Sequence, residues 1–453
     1  MALSTSEAAR MLGVTPRRVT ELIRSGLLVA QRSGRSWEVD EESVERRLSA
    51  EQLRGRPKGG EPLRHLVRNY TLMCRNEEVV DLSFVRDRNT VASLERPKHP
   101  ELLPVGACAA PGKASVRSME LWINERYIPQ NRIGLAQLLE RAGLPDPAAL
   151  MFKTFGLNLT DQYWFRPQGA DLDWEEINYF DNPVRGLGQQ SGQGPDSGTP
   201  GMLPKWWEHR SGRYYLLKES QLGGREPYAE LAATHMYSAL LEEGDYVRYT
   251  LEEGERGPCS ACACFTDRGT QLVTMRDLVR CYMGRRTTPP TAADYCDLLE
   301  RVGVPHARAQ VSKMLVCDYV DANDDRHDRN LGVIRDTASG EFLRVAPVFD
   351  NGRAFFGAAS RKSQLTDGLY HYDSNPFSSY PSVQLAQVQD FSWLDCDALA
   401  ELPAELARIL GENEQAPAWF ADAAAAQLEL RVGRVAEACR ERGIPIRIGV
   451  NGG

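Results

Sequence analysis

No stretch of this chain stays apolar for long enough to span a bilayer. Its first residues, MALSTSEAARML, lack the basic region and apolar core of a secretory leader. The ten cysteines are scattered and give no disulfide framework. No low-complexity tract dominates the composition. These absences argue against a membrane protein and a secreted disulfide scaffold, so a cytoplasmic location without a membrane partner is expected. Positive charge is also lacking overall: the net charge is −8, which excludes a chain that binds nucleic acid along its whole length by charge.

What is present is a globular composition, 42% hydrophobic and 26% charged, spread over 453 residues. That length exceeds one ordinary core, so two to four domains are expected of it. The charge is unevenly placed. Residues 10–35 hold six arginines against one glutamate, a net +5. A basic N-terminal module on an acidic body is the pattern of a nucleic-acid-binding domain joined to something else.

That module reads as two short helices. Ser4 and Glu7 have capping-box spacing, and Ala8, Ala9, Met11 and Leu12 supply an apolar face closed by Gly13. Thr15 and Pro16 suit the cap and first position of a second helix with Val19, Leu22 and Ile23 on one side. VAQRSGRSWEVD then reads as a hairpin with its tip at Ser33-Gly34, and a helix reopens after Asp40. The segment resembles the excisionase/MerR-type winged helix-turn-helix. This implies DNA contacts from Arg17, Arg18, Arg24 and Arg35. The alternative use of such a hairpin is a homodimer contact. Directly after it, RGRPKGG resembles an AT-hook core, in which Arg54 and Arg56 would lie along a narrow minor groove. The other reading is a flexible basic linker.

Residues 66–185 carry strands and helices with little visible chemistry, and the aromatic, acidic runs LTDQYWFRP and DWEEINYFDNP read as packing surfaces. Beyond them, the loop from Gly186 to Trp207 is rich in Gly, Ser and Pro, a composition that lets backbone N–H groups approach phosphates. Ser197, Gly198, Thr199, Gly201 and Lys205 are its candidate ATP contacts. RYYLLKES reads as a strand carrying Lys218, and EPYAELAATHMYSALL as a helix that offers Glu230, or alternatively Glu226, as partner to that lysine. CSACACF lacks the second ligand pair of a structural zinc site and reads as a buried strand. It would lead into a hinge with Cys264, Phe265 and Thr266 beside the adenine.

DANDDRHDRN ends at Asn330, and APVFDNG follows around Asp350. An Asp five residues before an Asn, then an Asp-x-Gly after two strands, is the order a phosphoryl-transfer site requires. Asp325 would serve the substrate hydroxyl, and Asn330 and Asp350 would hold Mg²⁺. The five-residue distance selects Asp325 over Asp324, while Asp321, Asp324 and Asp328 are further possible ligands. His327 has no second His or Cys to pair with and reads as a packing or loop-fixing residue. ARAQVSKMLVCDYV reads as a core helix, or a helix running into a strand, and EFLRVAPVFD as a strand ending at Asp350.

With DDRHDRNLG, APVFDNG and GTPGMLPKWW on the page, residues 186–450 resemble the HipA-like serine/threonine kinase family. The resemblance implies an α+β, bilobal protein-kinase-like fold with an N-terminal winged helix-turn-helix, and ATP with Mg²⁺ as cofactors. It implies autophosphorylation at Ser197 or Thr199, and a protein substrate. The expected organisation is a DNA-binding domain over 1–48, a basic linker over 49–65, an accessory region over 66–185, a small lobe over 186–270 and a helical large lobe over 271–453. In toxin-type kinases of this family the DNA-binding antitoxin is commonly a separate protein, whereas here a DNA-binding module is joined to the kinase-like part. A self-regulating, nucleoid-associated regulator is therefore expected beside a toxin. The competing readings are a DNA-binding regulator whose kinase fold only senses nucleotide, and a small-molecule kinase.

Overall fold

The computed structural model describes residues 2–12, 15–24, 28–33, 36–41, 43–44, 67–85, 90–183, 195, 203–221, 223–284 and 286–442. The chain divides into two compact units, Met1–Arg64 and His65–Gly453. Among the described residues no helix is long and apolar enough to cross a membrane.

In the first unit, α1 (Thr5–Leu12) and α2 (Pro16–Arg24) pack beside strands β1 (Ala2–Ser4), β2 (Ala30–Ser33) and β3 (Ser36–Asp40). The expected capping box is present: Ser4 N–H donates to Glu7 Oε2 at 2.8 Å, and Glu7 N–H donates to Ser4 Oγ at 3.2 Å. Ala8, Ala9, Val19, Leu22, Leu28, Val39 and Val44 form its core. The hairpin β2–β3 sets Ser33 opposite Ser36. The sequence reading did not foresee β1, which pairs antiparallel with β3. Three residues are too few for a period-two pattern to show.

The second unit begins with an antiparallel sheet in the order β6-β5-β4-β9, made of β4 (Val67–Cys74), β5 (Glu77–Val85), β6 (Val91–Leu94) and β9 (Tyr163–Pro167). A small ribbon, β7 (Cys108–Ala110) with β8 (Lys113–Ala114), and helices α3 (Val116–Glu125), α4 (Leu135–Ala142), α5 (Pro147–Lys153) and α6 (Trp174–Ile177) complete this region. Alternation sorts the sheet's faces. Leu72, Val80, Leu82 and Phe84 are buried, and Phe84 meets the rings of Tyr70, Phe152 and Phe165. Gly143 closes α4 with φ 66°, a left-handed conformation that glycine adopts without strain.

The small-lobe sheet follows in the order β10-β11-β13-β12, from β10 (Lys205–Arg210), β11 (Arg213–Glu219), β12 (Tyr249–Gly254) and β13 (Gly257–Ala263). CSACA, Cys259 to Ala263, lies on β13, where Cys259 and Cys262 are buried, and Cys264 and Phe265 fall just past its end. Helix α7 (Arg225–Leu240) packs on this sheet.

The large lobe has a sheet β14-β15-β16, from β14 (Thr270–Thr274), β15 (Gly332–Asp336) and β16 (Phe342–Val345). Around it lie α8 (Met275–Leu278), α9 (Ala292–Arg301), α10 (Ala307–Val320), α11 (Ser363–Thr366), α12 (Pro381–Ala386), α13 (Cys396–Gly411) and α14 (Phe420–Glu441). ARAQVSKMLVCDYV is helix throughout as α10. From Val311 to Val320 every residue is buried, which explains why it shows no polar face. The strand expected to reach Asp350 stops at Val345. Pro347 has no N–H for a ladder, and only Val348 continues, as a single bridge to Tyr246.

Gly332 is where the segment after DANDDRHDRN enters this sheet. A Cβ there would sit 2.2 Å from the Val273 carbonyl oxygen and 2.8 Å from Thr274 Cα, both backbone atoms. Gly332→Ala is expected to destabilise the protein by about 1–3 kcal/mol in urea unfolding. Gly433→Ala, on the exposed side of α14 with nothing within 4 Å of the new methyl, is expected to stabilise it by roughly 0.5–1 kcal/mol.

Candidate active site

Lys218 sits on β11, cross-strand from Lys205 on β10 and Ser260 on β13. Glu230 lies in the second turn of α7. The lysine is buried and its Nζ meets three groups: Glu230 Oε1 at 3.0 Å, Asp350 Oδ1 at 2.7 Å and the Tyr249 hydroxyl at 3.4 Å. The Tyr249 ring also lies under the ammonium, 5.1 Å from Nζ to its centroid. Burial alone would lower this ammonium, but the Asp350 and Glu230 carboxylates outweigh it and hold it well above its ordinary range. Glu226, the other candidate partner, is used elsewhere. It accepts from the Ser220 hydroxyl, and from Gln221 N–H at 3.0 Å.

Glu230 is shared. Its Oε2 accepts from Asn351 N–H at 2.9 Å, so one carboxylate holds both the lysine and the backbone after Asp350. Asp350 N–H donates to the Tyr249 hydroxyl at 3.1 Å, and Asp350 has φ 61°. Asp tolerates this left-handed conformation better than most residues. Although partial burial raises it, the neighbouring Lys218 and Lys205 ammoniums hold the Asp350 carboxyl well below its usual range. The carboxylate is thus ionised, with 37% of its side chain still open. Burial pushes the Lys205 ammonium down to about 7, with Asp350 pulling against it and Lys218 and Arg132 adding to it.

The four aspartates of DANDDRHDRN have separate fates. Asp321 is wholly buried and accepts from Asn323 N–H at 3.0 Å and the Tyr237 hydroxyl at 3.3 Å. Asp324 holds the Arg353 guanidinium through two contacts of 3.1 Å. Asp328 holds Arg276 at 2.6 Å. Asp325 alone makes no side-chain hydrogen bond or ion pair with the described residues. Its backbone is fixed instead. Its N–H donates to Asn323 Oδ1 at 3.0 Å, and its carbonyl accepts from His327 N–H at 2.8 Å and Asn330 Nδ2 at 3.0 Å. Partial burial raises the Asp325 carboxyl, with His327 opposing and Asp350 and Asp324 reinforcing, which makes it a better proton acceptor. His327 fixes the loop, as read from sequence, by accepting from Arg329 N–H at 3.2 Å through Nδ1.

The residue that the sequence reading missed is Arg326. It is fully buried. Its Nε and NH2 grip Asp318 of α10 at 3.0 Å each. NH1 donates to the Asn330 carbonyl at 3.2 Å and to the Phe349 carbonyl, and NH2 also donates to Asn351 Oδ1. One side chain therefore joins α10, the end of the Asp325 loop and the Asp350 turn. The available signal was Asp318, a lone charge in the apolar run KMLVCDYV that had to find a buried partner.

With its Nδ2 tied to the Asp325 carbonyl, Asn330 keeps its amide oxygen for another ligand. That oxygen and an ionised Asp350 carboxylate are hard donors suited to Mg²⁺. Past the end of β13, the Phe265 ring meets that of Phe349 at a tilt of 36°, ring centroids 5.2 Å apart. Cys264 and Thr266 turn their side chains toward the Leu159 carbonyl, which Thr266 Oγ1 reaches at 2.7 Å. Those two side chains are thus engaged by the accessory region. Ser197, Gly198, Thr199, Gly201, Arg35, Arg54 and Arg56 lie outside the described residues. Arg17 and Arg18 fall in the first turn of α2 and Arg24 at its end.

Residues 2–52 match the helix-turn-helix domain family. No characterised protein matches the chain at the sequence level. Among solved structures, it is similar to a chain of the Shewanella oneidensis MR-1 toxin–antitoxin complex of HipA, HipB and operator DNA. The identity is 14%, over 83% of this chain and 100% of that one, with a TM-score of 0.50. It is also similar to the Helicobacter pylori proinflammatory kinase CtkA, 15% identical over 53% of this chain and 95% of that one, with a TM-score of 0.42. The chain thus joins a helix-turn-helix domain to a HipA-like fold.

Arg326→Leu strands Asp318 as an unpaired buried charge beside Asp321, and is expected to cost about 3–5 kcal/mol in urea unfolding. Arg326→Leu with Asp318→Leu is expected to recover most of that loss, because both charges then leave together.

Proposed function

We propose that this chain is an ATP- and Mg²⁺-dependent serine/threonine protein kinase carried on a DNA-binding domain. The observation that supports it best is the division of labour among the carboxylates. Glu230 and Asp350 hold Lys218, three loop aspartates are committed to other partners, and Asp325 is left open.

In this reading Lys218, oriented by Glu230, binds nucleotide phosphate oxygens, and Lys205 adds a second cation on the same sheet. Asn330 and Asp350 would hold Mg²⁺, which when bound neutralises the phosphate charge. Asp325 orients the substrate hydroxyl. The hydroxyl oxygen forms a bond to the γ-phosphorus as the bond to the β–γ bridging oxygen breaks. ADP departs with that electron pair, and the hydroxyl proton passes to the Asp325 carboxylate. The helix-turn-helix domain would place this kinase on DNA, with Arg17, Arg18 and Arg24 of α2 among its contacts. A regulator of its own promoter is the simplest use of that pairing.

Incubation with γ-labelled ATP and Mg²⁺ is expected to label the wild type or an added protein acceptor. Asp325→Ala and Asp350→Ala are expected to lose at least about a hundredfold in rate. Absence of label on wild type, or equal label on all three proteins, would sink the assignment. In a gel shift, a chain starting at Glu61 is expected to lose DNA binding that the full chain shows. The full chain's affinity is expected to fall steeply between about 50 and 200 mM salt.

A further inference from the structure

Arg329 lies in the chain between Asp325 and Asn330. Asn330 N–H donates to the His327 carbonyl at 2.8 Å, closing a turn with Asp328 and Arg329 at its corners. The turn is held from both sides. Arg276 grips the Asp328 carboxylate and also donates its N–H to the Asp328 carbonyl at 2.9 Å, and Arg329 N–H is held by His327. The Arg329 side chain therefore extends from a fixed backbone, one residue before Asn330 and four after Asp325.

The other arginines of this neighbourhood are neutralised: Arg326 by Asp318, Arg353 by Asp324 and Arg276 by Asp328. Arg329 is different. It is partly buried, its Nε is closed off from solvent, and its guanidinium has no hydrogen-bond or carboxylate partner among the described residues. An unpaired, partly desolvated cation costs free energy unless an anion completes it. The guanidinium fork matches a planar oxyanion.

We propose that Arg329 selects the phosphoacceptor by binding a carboxylate of an acidic protein segment next to the hydroxyl that Asp325 serves. The inference rests on the kinase reading above and names its substrate class. The nucleotide side of the site already has Lys218 and Lys205, whereas Arg329 lies on the loop that carries the acceptor-side carboxylate. The same oxyanion chemistry could come from a nucleotide phosphate, and the experiment separates the two sources.

The full chain is assayed for kcat/KM on Ser- and Thr-centred peptides whose flanking residues are Asp, Ala or Arg. Wild type is expected to favour the Asp series over the Arg series by at least about tenfold, the size of one charge-assisted hydrogen bond. Arg329→Gln is expected to erase that ratio, Arg329→Lys to keep its direction, and Arg329→Glu to reverse it. If Arg329→Glu does not fold, the Gln variant and the loss of the wild-type ratio at high salt carry the same test. A wild type indifferent to flanking charge overturns the inference and leaves the kinase reading intact. So do Glu and Gln variants that slow every peptide by one factor, the result for a phosphate contact. A wild type that phosphorylates no peptide and no other protein removes the kinase reading, and the inference with it.

Discussion

The buried pair of Arg326 and Asp318 is the contact on which the site depends. Charges this deep are poor sources of net stability, since desolvation offsets most of their attraction. Their value here is geometric. Arg326 directs its donors to Asp318, to the Asn330 and Phe349 carbonyls and to the Asn351 amide, so none of its nitrogens is left unsatisfied. A hydrophobic pair of the same volume would fill the space but would not fix the distance between Asn330 and Asp350. Metal and phosphate chemistry tolerates little error in that distance. The surrounding polar groups depend on the same anchor. Asn323 Nδ2 donates to Asp318, and Asn323 Oδ1 in turn holds the Asp325 N–H. Tyr237 spans from Asp321 to Asn351.

Glu230 is the complementary link from the other lobe. It is buried to 1% exposure, holds Lys218 on one oxygen and the Asn351 N–H on the other. Small-lobe sheet, α7 and the Asp350 turn thus share one carboxylate. Arg326 fixes that turn from the large lobe, and Glu230 from the small. Asp350 itself, strained into φ 61°, is held between them with its second oxygen free to face solvent.

Which parts of this were legible in the sequence follows from what each part depends on. Capping chemistry is local, so Ser4 with Glu7 could be read directly. Motif spacing is nearly local, so Lys218, Asn330 and Asp350 could be picked out as candidates, with Glu230 kept beside Glu226. Choosing between those two glutamates needed the helix phase against β11, which only packing sets. The choice of Asp325 by spacing now has a physical counterpart in the capture of Asp321, Asp324 and Asp328 by other groups. Arg326 was not legible, because its partners come from Asp318, Asn330, Phe349 and Asn351, which meet only when α10 and the β15–β16 segment have packed. Pro347 was visible, yet the apolar run around it masked the end of β16.

The accessory region gave the sequence reading nothing but aromatic packing, and the structure gives that packing a purpose. Trp164 and Trp174 are buried in a cluster with Tyr214 of β11 and Cys264 of the hinge. Arg75 and Arg268 lie over the Trp174 ring at 5.7 and 5.4 Å, and Trp164 donates to the Arg75 carbonyl at 2.7 Å. Leu159, Thr160 and Gln162 then bind the chain where the lobes join. Thr266 donates to Leu159, Leu272 N–H donates to Thr160 at 2.9 Å, and Gln162 Nε2 donates to the Asp267 and Thr270 carbonyls at 3.0 and 2.9 Å. A hinge free to flex would leave its backbone groups to water. Here five residues from Thr266 to Leu272, namely Thr266, Asp267, Arg268, Thr270 and Leu272, are bonded to residues of the accessory region.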